Sequence, residues 1–474
     1  MNLTGFEQVN QGLRIAGFGT AFLLFLLASV ILGFSSTVVL LGICGLTMAI
    51  FLPPAMPWIA SRIRDLDLFS PYIAFPIAYI LWFTLGSVNF IDAPPDLAFG
   101  YFDPIPFWMY GLYACGLAGY FYGLYAGRLL PVSRETPSGR ELDMRKMQRI
   151  LWITLLGFVV AWVFLALVFG VTLLHPDTAN LDRLAHRGPV YQIFICLGWT
   201  CVMFVPIFAW TRGSTRRYDW SSVVVLPAVV SLLIVSLGAG RSPLVIPFLT
   251  LVIARSYFKK QPLWKLAVVG TVAFGVFSSL GYFRYMMSAT SAPQVSLMER
   301  LGVPAQLAPV VDMSIDVRYS VAALRDLTRT VPASIPFQYG AISFLPLTSF
   351  LPGHRDMSDV VFKNMLGHDF EGSGEPATIL APLYVDFGWS GVFVGMSVYG
   401  LLLSWTYRRM KSRPTTVRII TYAWWLQNCL FGIFANGFIN VYVFLLPIFW
   451  SFLFYLARSD AALSEAEIGA AALR

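Results

Sequence analysis

The sequence predicts an all-α polytopic membrane protein of about 12 transmembrane helices with one large helical loop on the outer side. Three observations carry that expectation. Of the 474 residues, 57% are hydrophobic and only 12% are charged, where a soluble globule carries roughly a quarter charged residues. Apolar runs of spanning length recur along the chain, and the basic residues are sorted between the connections. A soluble enzyme is excluded. The net charge of +8 is accounted for by that sorting and needs no nucleic acid. The five cysteines lie scattered in apolar segments, so no disulfide framework or metal cluster is expected.

A span needs about 20 predominantly apolar residues, and twelve segments qualify: 16–33, 36–60, 69–90, 107–128, 150–174, 190–210, 220–237, 243–257, 266–283, 377–406, 419–436 and 441–457. The first follows Arg14 and is succeeded at once by the second across a short Gly33–Thr37 turn, so the pair reads as a hairpin and not as a signal peptide. With the N-terminus inside, 23 Lys and Arg residues fall on the inner side and only 3 in the short outer loops. Both termini are therefore expected in the cytoplasm. The domains follow: spans one to nine over 1–283, an outer subdomain over 284–376, spans ten to twelve over 377–457 and an inner tail over 458–474.

The outer segment is far longer than an ordinary connection. Its stretch Val310–Leu327 turns apolar every three to four residues, which predicts amphipathic helices lying on the membrane surface. All four histidines, His175, His186, His354 and His368, fall on the outer side.

Candidate chemistry gathers at outer helix ends. In Gly238-Ala239-Gly240-Arg241-Ser242-Pro243, Ser242 is a favoured helix cap and Pro243 a favoured first helical residue. Free backbone N–H groups, close-approach glycine and the Arg241 guanidinium then suit an anion; a tight turn with Arg241 reaching to lipid headgroups fits the same residues. Arg284, amid aromatics at the start of the long segment, and Arg187, in His186-Arg187-Gly188-Pro189, could surround the same polyanion, or serve as an interfacial anchor and a solvated loop base. Arg318 either joins them or pairs with a neighbouring aspartate.

Gly372-Ser373-Gly374-Glu375-Pro376 precedes an apolar run to about Ser404. A continuous helix over 376–406 would be about 46 Å long at 1.5 Å per residue, so its first turns should stand above the bilayer. Glu375 would lie at a glycine-lined helix start, able to take a proton from a hydroxyl or to cap the helix. Asp386, about 16 Å deeper on such a helix, is a candidate by its depth and reads as a partner for a buried base or a helix-packing group. Asp65 and Asp67 form a D-x-D on the inner side and read as solvated. No Walker loop, dinucleotide fingerprint or G-x-S-x-G elbow occurs.

The twelve-span layout, the Gly-Ala-Gly-Arg-Ser-Pro turn, the arginine opening one large outer loop and the Gly-Glu-Pro-Ala-Thr-Ile-Leu-Ala-Pro-Leu-Tyr-Val-Asp-Phe-Gly-Trp-Ser-Gly-Val stretch together resemble the Wzy-type O-antigen and exopolysaccharide repeat-unit polymerases, over most of 16–457. Some members carry paired Arg-x10-Gly motifs; Arg187 and Gly198 have that spacing, without a clean match in the second loop. The resemblance implies a glycosyltransferase-C-like membrane fold in the bacterial inner membrane and a metal-independent, inverting glycosyl transfer on the periplasmic side, with no cofactor. Its implied partners are undecaprenyl-pyrophosphate-linked oligosaccharides, the lipid bilayer and a chain-length regulator. Arg241 and Arg284 would stabilise the departing diphosphate, assisted by Arg187, Ser242 and Arg318. Glu375 would be the general base, with His354 and His368 behind it. An O-antigen ligase using the same donor, and a flippase or other polysaccharide transporter, remain the alternatives; internal repeats and broken or charged midplane helices would favour transport.

Overall fold

The computed structural model describes residues 67–87, 103–132, 143–169, 189–211, 230–231, 242–259, 308–345, 358–368, 376–434 and 442–457, with scattered positions between 261 and 275. These residues form helices and connections, with no strand among them. In chain order the helices are α1 (Ala74–Ser87), α2 (Phe107–Leu129), α3 (Met144–Phe169), α4 (Pro189–Thr211), α5 (Ser242–Phe258), α6 (Ala308–Thr330), α7 (Ser358–Leu366), α8 (Leu380–Ser412), α9 (Thr416–Phe434) and α10 (Tyr442–Leu456). Eight coincide with expected spans; the spans placed at 16–33, 36–60, 220–237 and 266–283 lie wholly or mostly outside the described residues. Arg145–Leu167 and Leu380–Ser412 are long and apolar enough to cross a bilayer, while Ala74–Ser87, Ile193–Phe204, Val245–Phe258 and Val443–Leu456 are apolar but shorter.

Several ends follow from local chemistry. Pro106 precedes α2 in extended conformation, and Pro189 opens α4, both suited to a helix start. α3 begins six residues before the expected span because the Asp143 carboxylate caps it, accepting the backbone N–H groups of Arg145 (2.8 Å) and Lys146 (3.2 Å). Those two bonds, Lys146 first, hold the Asp143 carboxyl below its ordinary range.

The outward faces are apolar. Ile153, Leu156, Val160 and Leu167 of α3 and Ile448 and Phe452 of α10 are each more than half exposed. A face of that size suits lipid contact and would be a liability in water. Inside, Trp199, Trp424 and Trp450 join α4, α9 and α10 edge to face. Their buried N–H groups are satisfied where the bonds are seen: Trp424 donates to the Val443 carbonyl and Trp450 to Thr200 Oγ1.

Among the described residues, α2 packs most extensively against α8. Gly119, Gly123 and Gly127 recur every fourth residue on α2, and a Cβ at these positions would lie 2.3 Å from the Phe393 carbonyl oxygen, 1.8 Å from that of Ser397 and 2.6 Å from Ser404 Cβ. Gly400 of α8 returns the contact, 2.1 Å from the Tyr120 carbonyl oxygen. Only glycine lets two helix backbones approach so closely, the small-residue packing typical of helices in lipid.

The helix after residue 376 differs from the continuous one expected. Residues 376–379 are not helical, and α8 breaks at Phe387 (φ −142°, ψ 15°) and Gly388 (φ 63°). Asp386 sits at this break, only about 9 Å along α8 from Leu380, instead of deep in an unbroken span. Its carboxylate accepts the backbone N–H groups of Ile342 (3.1 Å) and Ser343 (2.8 Å), while the carbonyls of Val385 and Asp386 accept those of Gln338 and Tyr339. The connection after α6 thus satisfies the groups the break frees. Asp386 is the helix-packing group anticipated, with main chain as partner in place of a buried base. Asp386→Ala is expected to cost about 3 kcal/mol, two charge-assisted bonds at roughly 1.5 kcal/mol each. Thermal unfolding in detergent checks it, and an unchanged midpoint rejects the clamp.

The opposite end of α8 is tied separately. Asp67 accepts from Tyr257 (2.9 Å), Tyr407 (2.8 Å) and Lys411 (2.8 Å). Far from being merely solvated, it joins α5, α8 and the segment before α1.

Candidate functional site

α6 builds the site. Arg318, Arg325 and Arg329 follow one another at intervals of seven and four, which sets them along one side of the helix. The turns between them carry Val321, Ala322, Ala323, Leu324 and Leu327, all fully buried. α6 therefore does not lie on the surface with one face in water, as its amphipathic pattern suggested. It is packed against α1, α7 and α8, closely enough that a Cβ on Gly86 of α1 would lie 2.4 Å from Val321 Cγ2.

That packing buries two guanidinium groups. Arg318 is 4% exposed and Arg325 is 0% exposed. Arg318 donates from Nη1 to the Gly86 carbonyl (2.8 Å) in the last turn of α1, where helix carbonyls lack partners and a cation suits the dipole. Its Nη2 donates to the Asp103 carbonyl, which also accepts from Arg325 Nη1 (2.8 Å). Arg325 grips Asp326 with both ends of its fork, Nε to Oδ1 at 2.7 Å and Nη2 to Oδ2 at 2.9 Å. Two turns along the helix from Arg318, Arg325 is therefore paired with a neighbouring aspartate. Burial, and then the nearby charge of Arg325, push the Arg318 guanidinium down to about 10.

Beside this pair lies an open cleft of about 270 Å³ lined by Asp103, Arg325, Asp326, Arg329, Thr330, Leu366 and His368. His368 reaches it through a helix stop. Gly367 is left-handed (φ 69°), its N–H bonds the Asn364 carbonyl, and the His368 N–H bonds that of Lys363, the double closure that glycine permits at a helix C-terminus. Arg329 is half exposed and stands 3.8 Å from Asp326. The cleft offers guanidinium, carboxylate, hydroxyl and imidazole groups within one ligand's reach.

Of the residues singled out in the sequence, His368 lines this cleft. Arg318 is joined to it through the shared Asp103 carbonyl. Ser242 is the first residue of α5, where the Ser-Pro pair places a helix start. Arg187, Arg241, Arg284, His354 and Glu375 lie outside the described residues. Arg325, Asp326, Arg329, Thr330 and Asp103 were not anticipated. The available signal was the 318–325–329 spacing: bases on the same side of a helix as Val321 and Ala322 cannot all be solvated.

No curated protein and no solved structure matches the chain. A family model described as "Putative O-antigen polymerase" matches residues 9–446. With nearly the whole length covered, the chain belongs to the O-antigen polymerase family.

Proposed function

We propose that the protein polymerises undecaprenyl-pyrophosphate-linked oligosaccharide repeat units into O-antigen, capsular or exopolysaccharide at the periplasmic face of the bacterial inner membrane. The observation that carries this reading is the family match over 9–446. A polar cleft whose lining comes wholly from segments assigned to the outer side supports it. An acceptor hydroxyl attacks the anomeric carbon of the donor glycan from the face opposite the diphosphate. The sugar–oxygen bond to the diphosphate breaks as the new glycosidic bond forms, the configuration inverts, and the hydroxyl proton passes to a base.

Negative charge grows on the diphosphate as it leaves, and preorganised guanidinium groups stabilise it. Arg241 and Arg284 take this role, assisted by Arg187 and Ser242, and Glu375 is the base. Arg318 acts through the main chain it holds. A chain-length regulator would dock on the outer segment.

The test is purified protein supplied with a lipid-linked repeat unit and neither ATP nor added metal. A ladder of lengthening products is expected, and transport without a ladder rejects the reading. Arg241→Ala or Arg284→Ala should abolish long chains at normal membrane levels of protein, and Glu375→Gln should slow turnover more than it weakens donor binding. His368 in the cleft favours one second reading, a ligase with a histidine base. It predicts a single transfer, with no ladder, once lipid A core is added to the same assay.

A further inference from the structure

We propose that the cleft between α6, α7 and Asp103 is a subsite for an uncharged stretch of glycan, and that the carrier diphosphate is held elsewhere. The inference rests on the polymerase reading and assigns this part of the site its ligand class. Charge balance comes first. Asp326 neutralises Arg325 in a two-pronged pair, and Asp103 and Arg329 are of opposite sign. The four acidic and basic residues of the described lining, Asp103, Arg325, Asp326 and Arg329, sum to zero. A diphosphate calls for an excess of guanidinium or helix N–H groups, and this lining has no such excess: three of the Arg325 donors already serve Asp326 and the Asp103 carbonyl, and the charge of Arg329 is offset by the second carboxylate.

Sugar hydroxyls ask for something different. Each both donates and accepts, so a glycan is matched by donors and acceptors interleaved over a few ångströms. The cleft interleaves them: Arg329 donates, Asp103 and Asp326 accept, and His368 can do either. Its volume of about 270 Å³ falls just under the roughly 300–1,000 Å³ of small-molecule pockets, room for a short piece of a chain whose remainder lies in solvent. Rigidity is built in, because Arg325 is fully buried and its partners come from two separate segments. A site that must hold successive, chemically identical units profits from such a fixed wall.

Arg329 is the informative position, half exposed and so removable without opening the core. The experiment uses the full chain in lipid nanodiscs and two probes: the free oligosaccharide released from the lipid-linked repeat unit, and inorganic pyrophosphate. Arg329→Ala is expected to weaken oligosaccharide binding about tenfold, the loss of one hydrogen bond to a charged group. Pyrophosphate affinity should stay within about twofold. In turnover KM for the acceptor rises while kcat holds, which a general loss of structure would not produce. Asp103→Asn, at an exposed position, should act in the same direction. Equal losses for both probes, or unchanged oligosaccharide binding in both variants, overturns the subsite. A wild-type protein that binds the oligosaccharide yet builds no ladder removes the polymerase reading and keeps the subsite; a working ladder with unchanged KM in the variants does the reverse.

Discussion

Leucine in place of Gly123 is expected to leave little or no folded protein in the membrane. The position admits no side chain at all: even a Cβ would stand 1.8 Å from the Ser397 carbonyl oxygen and 2.8 Å from the Leu401 nitrogen. Both are main-chain atoms of α8, so no rotamer change relieves the clash. The helices must separate, and separation at Gly123 also opens the contacts at Gly119, Gly127 and Gly400. Overpacking in a core typically costs 1–3 kcal/mol where side chains can adjust; with backbone on the far side the loss should be about 3 kcal/mol or more. Gly157→Leu is the control, since its Cβ meets only Leu197 Cδ1 at 3.4 Å. Membrane abundance and thermal unfolding of the two variants, read together, decide the matter. Equal behaviour would mean that the glycine row is not what brings α2 and α8 together.

That row also shows how the sequence was legible in part. Hydropathy found the 107–128 span but could not say which residues face a partner, and a helix rich in glycine and tyrosine is less apolar than its neighbours. Spacing was the readable signal: residues 119, 123 and 127 stack on one face at a period of four. The helix start at Ser242 was readable because the Ser-Pro signal is local chemistry. The start at Asp143 was hidden inside a charged connector, where a capping carboxylate looks like any solvated one.

The break at Phe387–Gly388 was harder to see. The residues around it are apolar, and what stabilises the break lies more than forty positions upstream, in the Gln338–Ser343 connection. Asp386 followed so soon by Gly388 was the one local hint, an acid and a conformationally free residue adjoining in a spanning run. The site has the same character. His368 was singled out in the sequence by its place in the long polar segment, but the Arg318 and Arg325 bonds to Gly86 and Asp103 cross more than two hundred residues of chain, and no periodicity records such a pairing.

Arg325→Met is expected to be the most damaging substitution in the cleft. The guanidinium is completely buried, and its removal leaves Asp326 without its two-pronged partner and takes from the Asp103 carbonyl one of its two donors. Breaking a buried pair by deleting one member costs about 3–5 kcal/mol, because the remaining charge stays desolvated. Asp326 is about one-fifth exposed, which lets water relieve part of that cost and puts the expectation at the lower end, about 3 kcal/mol. Lysine should not rescue the position, since a single ammonium cannot serve two carboxylate oxygens and a carbonyl in one plane. Removing both charges together, in Arg325→Met with Asp326→Leu, should recover a sizeable part of the stability, as apolar replacements of buried pairs often do. It should recover none of the polymer, because the cleft loses an acceptor as well as its fixed wall. Thermal unfolding and product length measured on the single and double variants separate the two roles. If the double variant is no more stable than Arg325→Met, the pair is not coupled and α6 is held by its apolar contacts alone. If it also makes long chains, the cleft takes no part in catalysis.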